Sequence, residues 1–125
     1  VTFPAGLTHI KREAFRQCIG LTSVTFPAGL THIKREAFRQ CSQLRSVNFY
    51  FATMLTRIDQ DAFKQCYITE VTLSTNVLPI KIMENRIIIK KIIAPISIKE
   101  DINRLKRKGY LDKEIIIEYI DEIIL

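Results

Sequence analysis

The chain has 125 residues, 47% of them apolar and 26% charged, with three cysteines and a formal net charge of +6. Those proportions exclude a disordered polymer, and an odd cysteine count excludes a fully paired disulfide framework. The basic excess is mild and dispersed, nine Lys or Arg against five acids over residues 1–79 and ten against eight over 80–125, which argues against nucleic-acid recognition.

Residues 1–23 and 24–46 match at 20 of 23 positions, differing only at Ile19/Ser42, Gly20/Gln43 and Thr22/Arg45. The chain is therefore a tandem repeat. A third unit, Val47–Glu70, keeps Val47, Phe49, Leu55, Ile58, Ala62, Phe63 and Cys66 at the apolar positions while its surface diverges. It gains two residues in the Tyr50–Met54 loop and loses one after Cys66, so the length changes fall in connections. A fourth unit opens at Val71-Thr72-Leu73, reaches Leu78 and Ile80, and lacks the Ala-Phe pair and the cysteine over Lys81–Asn85. The array is expected to end there. Because the chain opens at Val1 in mid-pattern, without an initiator Met, it is expected to be the C-terminal piece of a longer protein.

Within a unit the apolar period changes. Leu21, Val24 and Phe26, with Thr25 between the last two, predict a short strand, which Pro27 and Gly29 end. Ile33, Ala37, Phe38 and Cys41 then recur at i, i+4, i+5 and i+8, the spacing of one face of a helical turn. Each unit is predicted to run strand, turn, extended piece, short helical turn and return. One unit is too small to bury its own apolar face, so the units must stack with their strands side by side in a parallel sheet.

The pattern Leu-x-x-Val-x-Phe-Pro-x-x-Leu-x-x-Ile-x-x-x-Ala-Phe-x-x-Cys, as it stands from Leu21 to Cys41, resembles the BspA-like, or Treponema-type, leucine-rich repeat over residues 1 to about 80. The resemblance implies an α/β solenoid with a parallel sheet on the concave face and short helical turns on the convex face. It also implies the habit of that family, in which surface or secreted adhesins are frequent and intracellular members exist. The 24-residue third unit and the degraded fourth depart from the pattern and put the local register in question.

Residues 81–125 are predicted to form a capping segment after the array of residues 1–80. Arg86–Ile93 favours a terminal strand through its β-branched content, closed by Pro95. Ser97 and Glu100 have capping-box spacing for a helix that Gly109 ends, and a second helix is predicted from Asp112 to Ile124 with Ile116, Ile120 and Ile123 on one face. The pair would make a helical hairpin that covers the end of the solenoid. The competing reading is a docking or oligomerising helix, since Ile115–Leu125 carries more apolar residues than one face holds. No apolar run approaches the roughly 20 residues of a membrane span; Ile87–Ile98 comes nearest and is interrupted by Lys90, Lys91 and Pro95.

No phosphate-binding glycine loop, paired metal-ligand spacing or nucleophile with a supporting base occurs, so neither catalysis nor a cofactor is expected. His9 and His32 occupy equivalent positions and are predicted to be exposed loop residues rather than metal ligands. Cys18, Cys41 and Cys66 are predicted to form a buried thiol ladder, and Phe15, Phe38 and Phe63 a core column. The basic column Lys11/Lys34, Arg12/Arg35 and Arg16/Arg39/Lys64 runs beside Glu13/Glu36/Asp61 and reads as a self-compensating solvated face rather than a polyanion site. Ser23, Thr25, Ser46, Asn48, Glu70 and Thr72 are predicted to point outward from the strands in ladders on the concave face, where they are the candidate contact residues. Asn48 and Glu70 break the Ser/Thr row that an ice-binding surface would need. The expected function is non-catalytic protein–protein or adhesive binding to a partner of unknown identity; the alternative is a structural spacer, which the near-identity of the first two units suits.

Overall fold

The computed structural model describes residues 2–83, apart from the side chain of Met83, and residues 89–121. Along the chain lie β1 (His9–Ile10), β2 (Ser23–Thr25), β3 (His32–Ile33), β4 (Ser46–Asn48), β5 (Arg57–Ile58), β6 (Glu70–Thr72), α1 (Leu78–Met83), β7 (Lys91–Pro95), a 3-10 turn (Ile96–Ile98), α2 (Lys99–Arg107) and β8 (Ile116–Ile120). Two parallel sheets result, one in the order β2-β4-β6-β7-β8 and one in the order β1-β3-β5. Register follows the repeat: Val24 pairs with Val47 and Val47 with Val71, while Ile10 pairs with Ile33 and Ile33 with Ile58.

Between the sheets the equivalent side chains cover one another. Phe15, Phe38 and Phe63 stack with ring centroids 5.2 Å apart at each step, nearly coplanar in tilt. Phe3, Phe26 and Phe49 make a second stacked column at 6.0 and 4.7 Å, which meets the first edge-on. Phe26, Leu30, Ile33, Phe38, Leu44 and Val47 are wholly buried, so the core is continuous from unit to unit. The predicted extended piece after each corner is thus a strand of a second sheet, and this sheet places His9 and His32 on β1 and β3 rather than in loops.

The helical turn predicted from the spacing of Ile33, Ala37, Phe38 and Cys41 is not formed. Residues Glu13, Gln17, Glu36, Gln40 and Gln65 have φ between +60 and +62°, a left-handed conformation that no α-helix contains. Backbone N–H groups alternate their partners there. Those of Ala37, Arg39 and Cys41 donate three residues back, to Lys34, Glu36 and Phe38, whereas those of Phe38 and Gln40 cross to the carbonyls of Ala62 and Lys64 in the next unit. The i, i+4, i+5, i+8 spacing still turns Ile33, Ala37, Phe38 and Cys41 inward, because successive tight turns bring the same residues to one side. Periodicity alone does not separate the two arrangements.

The thiol ladder is hydrogen-bonded as well as packed. Cys41 donates from Sγ to the Phe15 carbonyl at 3.1 Å and Cys66 to the Phe38 carbonyl at 3.0 Å, each reaching into the preceding unit. Burial pushes the Cys41 thiol up and the Cys66 thiol up to about 12, so both remain protonated donors in neutral solution.

Past the third unit the pattern changes. Asn76 accepts the Leu78 N–H at 2.9 Å at the start of α1 and donates to the Leu55 carbonyl at 2.6 Å, tying the helix to the third unit. α1 lies against β5, the last strand of the smaller sheet, while β7 and β8 continue the larger one. The predicted terminal strand is β7, shifted toward Pro95; Arg86, Ile87 and Ile88 lie outside the described residues. α2 begins at Lys99 with Ile98 as its N-cap and no side-chain cap hydrogen bond, so the predicted Ser97–Glu100 box is not its start, and Gly109 follows it at φ +79°. The helical hairpin is also corrected: β8 occupies Ile116–Ile120 and pairs with all five residues of β7, from Lys91↔Ile116 to Pro95↔Ile120. Consecutive β-branched residues Ile115–Ile117 favour a strand, and β7 offers an edge whose N–H and C=O groups need a partner. Glu122–Leu125, the rest of the predicted helix, lie outside the described residues.

Candidate functional site

The outward face of the five-stranded sheet holds the residues expected to make contact. Alternation along a strand turns Val24, Val47, Val71 and Ile92 into the core and leaves their neighbours outside. One outward column therefore runs Ser23, Ser46, Glu70, Lys91, Ile116 and the other Thr25, Asn48, Thr72, Ile93, Glu118, with Thr2 bridged to Thr25. All six candidate residues lie on this one face; Ser23 is exposed and the other five half-buried.

Asn48, Ser46 and Glu70 are engaged locally. Asn48 accepts the Tyr50 N–H on Oδ1 at 2.8 Å, which holds the start of the loop carrying the third unit's insertion. Glu70 accepts from Ser46 Oγ at 3.5 Å on one oxygen and faces Lys91 Nζ at 3.8 Å with the other. Lys91 lies closer still to Glu118, at 3.1 Å. The hydrogen bond and charge of Glu118, with Glu70 behind, hold the Lys91 ammonium above its ordinary range. The resulting Glu70–Lys91–Glu118 row crosses three strands and carries one surplus negative charge. Sequence reasoning missed it, because Glu118 joins the row only once residues 116–120 are a strand in register with β7.

On the smaller sheet, His9, His32 and Arg57 occupy one column. His32 Nε2 lies 3.0 Å from Asp59 Oδ1, and Arg57 Nε lies 2.9 Å from the same oxygen. Burial works to raise the Asp59 carboxyl, but the His32 hydrogen bond and the charges of His32 and Arg57 outweigh it and hold the group below its ordinary range. On the turn face Glu36 is buried beneath Arg39 at 3.2 Å, Arg35 at 3.7 Å and Arg16 at 3.8 Å. The basic column there is partly neutralised by the acids that run beside it, as its sequence suggests. Among the described residues no group of three His, Cys, Asp or Glu is placed to hold a metal ion, and no helix is long and apolar enough to cross a membrane.

Parallel strands in strict register, near-identical units and a row of short polar side chains on the open face define a tandem-repeat protein of the leucine-rich kind. The family model for the BspA type leucine rich repeat region matches residues 1–85 in six copies, and the chain belongs to that family. Such repeats are generally protein-interaction modules and typically non-catalytic. Searches of curated proteins and of solved structures returned no match to this chain.

Proposed function

We propose that the chain is a non-catalytic binding solenoid, its units stacked along one axis, that holds a protein partner against the outward face of the five-stranded sheet. The observation that carries this reading is the convergence of Ser23, Thr25, Ser46, Glu70 and Thr72 on one continuous surface, with Asn48 bracing its margin and Lys91 and Glu118 extending it. Short hydroxyl side chains leave the strands open to close approach, and the Glu70–Lys91–Glu118 row supplies a charge pattern that fixes orientation more than affinity. Residues 1–80 form the binding array in this reading, and residues 81–125 close its C-terminal end with α1 against β5 and with β7 and β8 beside β6. Adhesion at a cell surface is the setting that the habit of the family suggests.

The test is capture of the binding partner by the intact chain, compared with Thr25→Arg and Ser46→Arg. Both positions are solvent-facing, so each variant should keep its circular dichroism spectrum while losing at least about 10-fold in affinity, the usual cost of a charge placed in an interface core. Unchanged binding by both folded variants favours the spacer reading. The near-identity of the first two units supports that alternative, since a selected contact surface diversifies from repeat to repeat.

A further inference from the structure

We propose that the groove lined by Gln17, Ile19, Gln40, Ser42, Gln65 and Tyr67 is a second binding site, separate from the sheet face, and that its ligand is a neutral sugar ring. The groove has a volume of about 360 Å³ and draws residues from all three units. Two columns build it. One is the last residue of each run of turns, Gln17, Gln40 and Gln65; the other is the residue after each cysteine, Ile19, Ser42 and Tyr67. Ile19 and Tyr67 are 67% and 52% exposed and belong to the first and third units, with the small Ser42 of the second between them.

The repeat itself singles this place out. Units 1 and 2 match at 20 of 23 positions, and the three that differ, Ile19/Ser42, Gly20/Gln43 and Thr22/Arg45, fall within four consecutive residues. Two of the three act in the groove. Ser42 puts a short hydroxyl side chain where unit 1 has the bulk of Ile19, which opens a notch between Ile19 and Tyr67. Arg45 donates from Nη1 to the Ser42 carbonyl at 2.8 Å and sets its guanidinium carbon 5.9 Å from the centre of the Tyr67 ring, bracing the aromatic side chain. Thr22, at the equivalent position of unit 1, is too short for the second contact. The sheet face, by contrast, repeats Ser23 as Ser46 and Thr2 as Thr25. Divergence between two otherwise identical copies is thus confined to the neighbourhood of this groove.

Its chemistry selects the ligand. Gln17 Nε2 donates to Gln40 Oε1 at 3.0 Å, which starts a ladder of amides along one wall. Among the described residues Gln40 Nε2, the Gln65 amide and the Ser42 hydroxyl have no partner, so they are open to a ligand. Their backbone is already fixed: the N–H groups of Gln17 and Gln40 donate to the carbonyls of Arg39 and Lys64 at 2.8 Å, and little order remains to be lost on binding. None of the six lining residues is Asp, Glu, Lys, Arg or His, so the groove offers nothing to a metal ion or an ionic group. A wholly apolar ligand would cover the amides without bonding them, at a cost per group comparable to the gain. A sugar ring meets both demands, because its hydroxyls donate and accept as the amides do while its C–H face packs on Tyr67 and Ile19.

The test titrates the intact chain with neutral disaccharides of glucose, galactose, mannose and N-acetylglucosamine, read by saturation-transfer NMR and calorimetry. At least one should bind through its ring C–H protons, with an affinity that added salt leaves unchanged because no ion pair is made. Ser42→Ile supplies the residue that unit 1 carries at this position, so the variant should keep its circular dichroism spectrum while affinity falls at least about 10-fold; Tyr67→Ala, at an exposed position, should do the same. Thr25→Arg, on the sheet face, should leave sugar binding untouched, which keeps a failure of this site apart from a failure of the one proposed above. The proposal is overturned if none of the sugars binds, or if binding survives both Ser42→Ile and Tyr67→Ala in folded protein. It is overturned as well if a uronic-acid disaccharide binds more tightly and is released by salt, for the site then reads charge. Loss of a protein partner in Ser42→Ile or Tyr67→Ala, with no sugar bound by the parent chain, would make the groove a peptide site instead.

Discussion

Asp59 shows how single residues tie one unit to the next. Its carboxylate meets His32 of the preceding unit and Arg57 of its own, and these partners hold its pKa below the ordinary value of 3.8. A depressed carboxyl stabilises the fold above the unfolded pKa, and that contribution is lost as pH falls through the folded one. Unfolding followed by urea at several pH values should therefore show an acid limb below about pH 4 that is flatter in Asp59→Asn, with a loss of about 0.5–1.5 kcal/mol in the variant at pH 6. Equal slopes would remove Asp59 from the acid response. The thiols act at the other end of the scale. Cys66 donates to Phe38 and keeps its proton to about 12, while an unfolded thiol ionises from 9.0. Between those values the unfolded state holds fewer protons, so stability falls with rising pH by at most about 1.4 kcal/mol per unit for this group. Cys66→Ala should lose stability at neutral pH and show a shallower alkaline decline.

Among the elements, the turn face is where conformation and side chain disagree most. Gln65 is exposed and sits at φ +61°, a region that costs a residue with a Cβ about 1–2 kcal/mol. Gln65→Gly should therefore be neutral to stabilising by up to about 1 kcal/mol after the entropy of glycine is counted, whereas Gln65→Val should cost about 1–2 kcal/mol. Chemical denaturation of the two variants decides it; undiminished stability in Gln65→Val would place this turn in another conformation. The same turns mark the limit of what could be read from residues alone. Val24, Phe26 and Thr25 announced their strand because period 2 admits one arrangement, and the repetition of the pattern fixed which columns align. Ile33, Ala37, Phe38 and Cys41 fit a helix face and a run of tight turns equally, and only the N–H groups that cross to Ala62 and Lys64 separate the two. Ile116 and Ile120 fit a helix spacing and an alternating strand alike, and the edge of β7 decided between them. The outward ladder from Ser23 to Thr72 was therefore legible, while its extension through Lys91 and Glu118 depended on that pairing.

Among the described residues, much of the cohesion comes from contacts between adjoining units. The phenylalanine columns, the thiol bonds and half of the turn-face N–H groups all point to the adjoining unit. Such an array is held together layer by layer through nearest-neighbour contacts. Toward the C-terminus α1, β7 and β8 follow unit 3, while the outer side of unit 1 leaves Phe3 and Phe15 half-exposed. The strict like-to-like register of β2 with β4 has one more consequence, which concerns how the molecule assembles. To β4, residues 1–5 are indistinguishable from residues 24–28. A nascent chain that set residues 1–5 against β4 would leave unit 2 as an extruded loop and come out short by a whole layer, so the order in which the units meet matters to the native threading.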